Sequence, residues 1–169
     1  DDVPLKYQTA CEMFNTGKYA KAARMFENLK LATSGTPQDD TVQFYTALSH
    51  YEYGDIYSAE PAFESFIGVF PLSPFTERAK FLRIDCLYRQ TLRYELDQTP
   101  SVKALNAMHQ YLYEHPSTPF RGNCEAMIAD LNERMDRKDF EAAKLYYTIE
   151  EYKAAHYALK NVLKNDAAN

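Results

Sequence analysis

The chain has 169 residues, of which 46% are hydrophobic, and a formal net charge of -5. This length fits one domain with a sizeable core, and the acidic balance argues against a nucleic-acid-binding protein, which favours a concentrated basic face. No apolar run approaches the roughly 18 residues of a membrane-spanning helix. Three widely spaced cysteines without a CxxC motif do not make a disulfide framework. No leader precedes Asp1, so we expect a cytosolic protein or a trimmed form of an exported one.

An internal repeat organises the first half of the chain. The segment "ACEMFNTGKYAKAARMFENL" aligns with "ALSHYEYGDIYSAEPAFESF" at a constant offset of 37 residues. Small residues, a glycine and apolar residues recur at matching places: Ala10 and Ala47, Gly17 and Gly54, Tyr19 and Ile56, Ala22 and Ala59, Phe26 and Phe63, Leu29 and Phe66. This spacing resembles the tetratricopeptide repeat, a pair of helices (A and B) of about 34 residues.

Each position of the repeat has a physical role. The alanines let helices A and B approach closely, the glycine ends helix A in a left-handed conformation, and the phenylalanine fills the seam to the next pair. The first two pairs are predicted over residues 4–36 and 41–72. Pro71 ends the second pair, and Pro61 is expected in the first turn of its helix B, after a cap at Ser58.

The third predicted pair, residues 74–117, carries an insertion. Its core positions repeat the spacing of the second pair, with Ile84 in the place of Ala47, but helix B begins eight residues late. The extra residues fall around 91–98. Thr99 is the expected N-cap with Pro100 at the first helical position, and Ser101 is an alternative cap. The remaining helix B positions are Ala104, Met108, Tyr111 and Pro116.

A fourth pair is predicted over residues 122–166. Glu150 replaces the glycine, and helix A is lengthened, with a break expected at the charged run "DRKD". Its template positions are Ala143, Tyr152, Ala155, Leu159 and Val162. The predicted fold is therefore all-α, a right-handed solenoid of four tetratricopeptide-like helix pairs forming one domain over 1–169. Because a solenoid end is normally covered by a polar helix, we expect that both ends are truncated relative to the full protein.

Three segments carry a more specific resemblance. They are "KYQTACEMFNTGKYAKAARMFENL", "ELDQTPSVKALNAMHQYLYEHPSTP" and "KDFEAAKLYYTIEEYKAAHYALKNVLK". Together they resemble the BamD family, lipoproteins of the outer-membrane β-barrel assembly machine, in the form found in Bacteroidetes. The resemblance covers about residues 5–165.

The resemblance implies a non-enzymatic lipoprotein on the periplasmic face of the outer membrane. Its implied partners are the periplasmic domains of the barrel-assembly protein and unfolded outer-membrane proteins. The lipid-anchored cysteine and the fifth repeat of the family have no counterpart here, as a trimmed form would explain. A generic periplasmic adaptor of the same fold, in cell-envelope or cell-division coordination, is the alternative.

No catalytic or metal-binding pattern occurs in the sequence. The four histidines lack HExxH or CxxC companions, and neither a GxSxG motif nor a glycine-rich phosphate loop is present. Asp39–Asp40 and Glu150–Glu151 are adjacent carboxylates, which do not face each other as a catalytic pair would. We therefore expect no catalytic residue, no cofactor and no metal.

The candidate binding surface is a stripe on the A helices. An aromatic residue recurs three before and four after each of Ala10, Ala47 and Ile84, and polar residues follow it. The predicted groove residues are Tyr7, Phe14, Asn15, Phe44, Tyr51, Glu52, Phe81, Tyr88 and Arg89. Two interpretations remain open: the rings pack as core between adjacent A helices, or they line an exposed groove for an extended peptide with aromatic side chains.

Overall fold

The computed structural model describes residues 2–91, 96–148 and 152–167, and all regular secondary structure in these ranges is α-helical. The all-α prediction is confirmed. The eight helices are α1 (Val3–Asn15), α2 (Tyr19–Thr33), α3 (Asp39–Tyr53), α4 (Ile56–Val69), α5 (Thr76–Arg89), α6 (Thr99–Glu114), α7 (Arg121–Thr148) and α8 (Tyr152–Asp166). Within the described ranges, none of these helices is both long and apolar enough to cross a bilayer.

The chain forms two compact units. The N-terminal unit contains residues 1–90 and 113–115, and the C-terminal unit contains 91–112 and 116–169. In the N-terminal unit each helix packs on the next, from α1 through α5, and α3 also contacts α5. In the C-terminal unit α7 packs on α8. This succession of packed neighbours is the architecture of a tetratricopeptide-like helical repeat.

Glycines end two of the A helices, as the repeat predicts. Gly17 follows α1 with φ of 75°, and Gly54 caps α3 with φ of 91°. Both angles lie in the left-handed region, which costs an L side chain about 1–2 kcal/mol. At the second turn the Gly54 N–H donates to the Tyr51 carbonyl at 3.0 Å, so the left-handed residue satisfies a carbonyl at the end of the helix.

The repeated alanines and phenylalanines form the core of the N-terminal unit. Phe26 packs with Val42 of α3, and Phe63 packs with Leu82 and Cys86 of α5. Each phenylalanine is completely buried. The predicted role of this position, filling the seam between one helix pair and the next, is therefore confirmed. Truncating such a ring to alanine typically costs about 3–5 kcal/mol.

A second repeated sequence feature precedes the A helices α3, α5 and α7. A Ser-Pro or Thr-Pro dipeptide precedes each helix, and its hydroxyl accepts the N–H of the residue two positions on at 3.2–3.3 Å. The dipeptides are Thr36-Pro37, Ser73-Pro74 and Thr118-Pro119. A backbone bond from residue i+3 to the carbonyl of the Ser or Thr closes the first turn in all three cases. These Ser-Pro and Thr-Pro turns, which were not predicted from the sequence, lead directly into the A helices.

The start of α4 differs from the prediction. Asp55, not Ser58, is the N-cap, and its Oδ1 accepts the Ser58 N–H at 3.1 Å. The helix thus begins at Ile56, and Pro61 lies inside it rather than in its first turn. The expectation for Ser58 and Pro61 was wrong because an Asp cap lies three residues further upstream than the serine considered.

The long helix α7 also corrects the prediction. It runs unbroken from Arg121 to Thr148 through the charged run 136–139, where a break was expected. That run contains no glycine or proline, so nothing in it removes a backbone donor or favours a left-handed residue. Just before the run, Arg134 forms an ion pair with Asp130 at helical spacing.

The core positions predicted for the third helix pair are buried. Ala104, Met108 and Tyr111 are buried on α6, and Ile84 is buried on α5. Helix α6 begins at Thr99, one residue earlier than predicted, and Ser101 donates a hydrogen bond to the Gln98 side chain at 2.8 Å. Residues 92–95 of the predicted insertion and Glu150 lie outside the described residues.

The fourth helix pair follows the template only in part. Ala143 of α7 and Ala155 of α8 are buried, which agrees with their predicted role. Leu159, at the place of Phe26 and Phe63, remains 40% exposed. Phe26 and Phe63 pack with residues of α3 and α5, whereas Leu159 keeps a large part of its surface accessible.

Candidate peptide-binding surface

The predicted groove residues lie on α1, α3 and α5, the A helices of the N-terminal unit. We call their stretch of surface the aromatic stripe, and it comprises Tyr7, Phe14, Asn15, Phe44, Tyr51, Glu52, Phe81, Tyr88 and Arg89. These residues differ in exposure: one ring is buried, five rings are half-buried, and the three polar residues are exposed. The stripe therefore combines core packing with accessible polar edges.

Phe44 is a core residue. It is fully buried and stacks on Phe75, with ring centroids 4.7 Å apart and planes within 10°. It also meets Phe63 and Phe66 of α4 at 6.1 and 5.6 Å. Of the two interpretations left open by the sequence, core packing holds for this ring, and Phe44 is not available to a ligand.

The α1 rings are shared between the core and the surface. Phe14 makes edge-to-face contacts with Tyr19 at 5.3 Å and with Tyr45 of α3 at 5.1 Å. Tyr7 approaches Phe26 edge-on at 6.4 Å. Partial burial and the neighbouring Cys11 both raise the pKa of Tyr7. Each ring is therefore anchored on one side and leaves part of its surface accessible.

Tyr51, Asp85 and Arg89 form a closed polar cluster that joins α3 to α5. The Tyr51 hydroxyl donates to Asp85 Oδ2 at 2.6 Å, Arg89 Nε lies 2.7 Å from the same oxygen, and Arg89 Nη2 donates to the Tyr51 oxygen at 3.2 Å. The Arg89 guanidinium also lies over the Tyr51 ring, 5.2 Å from its centroid. Burial, followed by the hydrogen bond to Asp85, raises the pKa of Tyr51 far above its usual range.

Three further residues of α5 lie on or beside the stripe. Phe81 and Tyr88 are half-buried on α5, on either side of Asp85. Arg78, three residues before Phe81 on the same face of α5, is exposed and lies 5.8 Å from the Phe44 centroid. Arg78 was not predicted from the sequence, although its helical spacing from Phe81 places it on the same side of α5.

Both ends of the predicted insertion contact α7 in the C-terminal unit. Arg134 Nη1 donates to Thr91 Oγ1 at 3.0 Å, and Lys138 Nζ donates to the Leu96 carbonyl at 2.5 Å. Asp97 accepts hydrogen bonds from the Thr99 N–H and hydroxyl, which hold the pKa of its carboxyl below the usual range. Thr91 and Leu96 of the insertion are therefore held by side chains of α7.

Groups that could support chemistry are sparse. Within the described ranges, no cluster of three or more His, Cys, Asp or Glu side chains could hold a metal ion. Cys11, Cys86 and Cys124 are free thiols. Burial raises the pKa of Cys86 to about 12 and also raises that of Cys124, so neither forms a reactive thiolate at neutral pH.

The succession of packed helices defines the class of protein: a helical-repeat protein. The model of the YfiO family, described as outer membrane lipoprotein, matches residues 3–168. The chain belongs to this family. The BamD-like resemblance predicted from the sequence is thereby confirmed.

A curated relative supports the same family. The chain is 21% identical over 144 residues to the outer membrane protein assembly factor BamD of Caulobacter vibrioides, an alignment that covers 85% of this chain and 47% of that protein. The chain thus spans about half the length of this relative.

Proposed function

We propose that this chain is a non-enzymatic component of outer-membrane protein assembly, acting at the periplasmic face of the outer membrane. The family description and the assembly-factor name of the relative support this role. We also propose that the full-length protein carries a lipid anchor. Residues 1–169 would act as one functional domain with four repeats, 4–36, 41–72, 74–117 and 122–166.

The aromatic stripe is the proposed site for unfolded outer-membrane protein substrates. The observation that carries this assignment is the cluster of Tyr51, Asp85 and Arg89, which holds α3 and α5 together and positions a guanidinium at the surface. Half-buried rings beside it offer apolar faces that need not move to accept a ligand. An extended chain that alternates polar and aromatic side chains fits such a surface, because its aromatic residues all point to one side.

A second surface supports the scaffolding role. Large apolar side chains are exposed on α7 and α8 of the C-terminal unit: Leu145 (60%), Tyr147 (63%), Tyr157 (66%) and Leu163 (70%). Aromatic residues are enriched at protein interfaces, where their rings supply area and their polar tips supply hydrogen bonds. We assign the periplasmic domains of the barrel-assembly protein to these exposed residues of α7 and α8.

Steric block of the aromatic stripe tests the substrate site. Asn15 is exposed on the stripe, whereas Asn28 is exposed on α2, outside the stripe. We expect Asn15→Trp to weaken binding of a labelled ten-residue peptide with alternating phenylalanine and serine by about tenfold, which corresponds to about 1.4 kcal/mol. Asn28→Trp is the matched control and should bind as the unchanged protein does.

Fluorescence anisotropy measures the affinity, and thermal unfolding by circular dichroism confirms that both variants fold. Equal loss of affinity in the two variants, or no loss in either, would contradict the assignment of the stripe.

Co-purification tests the exposed apolar residues of α7 and α8 separately. Leu163→Ser should reduce capture of the periplasmic domains of the barrel-assembly protein, while Leu31→Ser, at a residue 93% exposed on α2, should not. Undiminished capture by Leu163→Ser would rule out this face of α8, and no capture by the unchanged chain would count against the scaffolding role itself.

A further inference from the structure

We propose that the exposed face of the Arg89 guanidinium is the platform on which an aromatic side chain of the bound peptide stacks. This inference rests on the proposed function and names the contact that would select aromatic residues.

The edges of the Arg89 guanidinium that face the protein are already occupied. Nε lies 2.7 Å from Asp85 Oδ2, and Nη2 donates to the Tyr51 oxygen at 3.2 Å. The Tyr51 hydroxyl in turn donates to the same carboxylate oxygen at 2.6 Å. These three contacts fix the plane of the guanidinium, so little side-chain entropy remains to be lost when a ligand binds.

The guanidinium is packed against Tyr51 yet remains partly accessible. Arg89 Cζ lies 5.2 Å from the centroid of the Tyr51 ring. Tyr51 is itself supported by an edge-on contact with Phe63 at 6.3 Å. The Arg89 side chain is nevertheless 50% exposed, so part of it is open to solvent. An aromatic ring of a bound peptide could stack on this exposed part of the guanidinium.

The local charge favours a neutral ring over an anion. Asp85, whose side chain is only 14% exposed, balances the charge of Arg89. Glu52, next to Tyr51 in the chain, is exposed and adds a negative charge to the stripe. A guanidinium is weakly hydrated and stacks well on aromatic faces, whereas a carboxylate ligand would meet both acidic groups.

A Lys replacement separates stacking from charge. Arg89→Lys retains a positive charge within reach of Asp85 but removes the planar surface. Arg24, exposed on α2 outside the stripe, supplies the matched control Arg24→Lys. The probes are two ten-residue amidated peptides that alternate serine with phenylalanine or with cyclohexylalanine, which has a similar size and no π system.

In fluorescence anisotropy, the unchanged protein and Arg24→Lys should prefer the phenylalanine peptide by about fivefold. Arg89→Lys should lose that preference and bind both peptides with the affinity of the cyclohexylalanine peptide. Retention of the preference in Arg89→Lys would overturn the inference. So would an Arg89-dependent gain in affinity for the free-acid form of the peptide, because it would make Arg89 a carboxylate site.

The failure of the inference is distinguishable from that of the proposed function. If the unchanged protein binds neither peptide, peptide binding itself is refuted. If it binds both equally well and Asn15→Trp blocks them, the stripe binds peptides and the stacking platform alone is refuted. Far-UV circular dichroism and thermal unfolding establish that Arg89→Lys and Arg24→Lys are folded.

Discussion

Tyr51 of α3 donates a 2.6 Å hydrogen bond to Asp85 of α5, which joins the A helices of two successive repeats. The acceptor carboxylate is only 14% exposed. If the Tyr51 hydroxyl is removed, water therefore cannot fully take its place as a hydrogen-bond donor. This bond sits where core packing and the candidate binding surface meet. It therefore contributes both to stability and to the position of Arg89.

Removing the Tyr51 hydroxyl should destabilise the protein. Tyr51→Phe keeps the ring but leaves Asp85 without this donor, and we expect a loss of about 1–2 kcal/mol in the free energy of unfolding. Tyr53→Phe is the control, because that side chain is 64% exposed on the same helix. Urea denaturation monitored by circular dichroism measures both. Equal stability of the two variants would show that the bond contributes nothing.

The raised pKa of the Tyr51 hydroxyl predicts that the free energy of unfolding falls at alkaline pH. The pKa of Tyr51 is raised in the folded state above the ordinary value of about 10 in the unfolded state. Its stabilising contribution is therefore complete below pH 10 and is lost as the pH rises above 10. Unfolding free energy measured between pH 9 and 11 should fall more steeply for the unchanged protein and for Tyr53→Phe than for Tyr51→Phe. Parallel slopes for all three would contradict the raised pKa.

Gly54 and Gly68 allow a paired test of backbone conformation, one at a turn and one within a helix. Gly54 has φ of 91°, where alanine is strained, so Gly54→Ala should lower the free energy of unfolding by about 1–2 kcal/mol. Gly68 lies within α4, and an added Cβ there meets no atom within 4 Å, so Gly68→Ala should raise stability by up to about 1 kcal/mol. Thermal unfolding should give shifts of opposite sign. Shifts of the same sign would mean that these backbone positions differ from those described.

The three thiols should report the opening of each unit. Cys86 belongs to the N-terminal unit and Cys124 to the C-terminal unit, and both are buried with raised pKa values, whereas Cys11 is only half-buried. Ellman's reagent at pH 8 should therefore modify one thiol quickly and two slowly. In increasing urea, Cys86 and Cys124 should become reactive as their own units open. Immediate modification of all three thiols in the native protein would contradict the burial.

The repeat frame could be predicted from the sequence because its signals are local. Gly54 ends a helix by virtue of its own backbone, and Phe63 is buried because its spacing from Ala59 fixes it on the same face. The cap at Asp55 and the unbroken α7 were also local features, but Ser58 and the charged run 136–139 offered plausible competing signals. In both places the chain follows ordinary helix propensity and capping rather than the aligned repeat.

The exposure of the stripe residues could not be predicted, because it depends on partners from other parts of the chain. Phe44 and Tyr51 occupy equivalent faces of α3, yet Phe75 covers one ring and Arg89 lies over the other. Similarly, Glu60 of α4 and Arg83 of α5 form an ion pair, with Oε1 and Nε 3.0 Å apart. Because the two residues lie on different helices, their spacing in the sequence does not predict this contact.

Site-specific photo-crosslinking measures directly where an extended chain binds. A benzoylphenylalanine placed at Glu52 on the aromatic stripe is compared with one at Tyr57, 72% exposed on α4, and one at Tyr157, 66% exposed on α8. With an unfolded outer-membrane protein segment rich in aromatic residues, we expect crosslinks at position 52 and few at 57 or 157. Crosslinks of equal yield at 52 and 57, or crosslinks at 157 alone, would contradict substrate binding by the stripe.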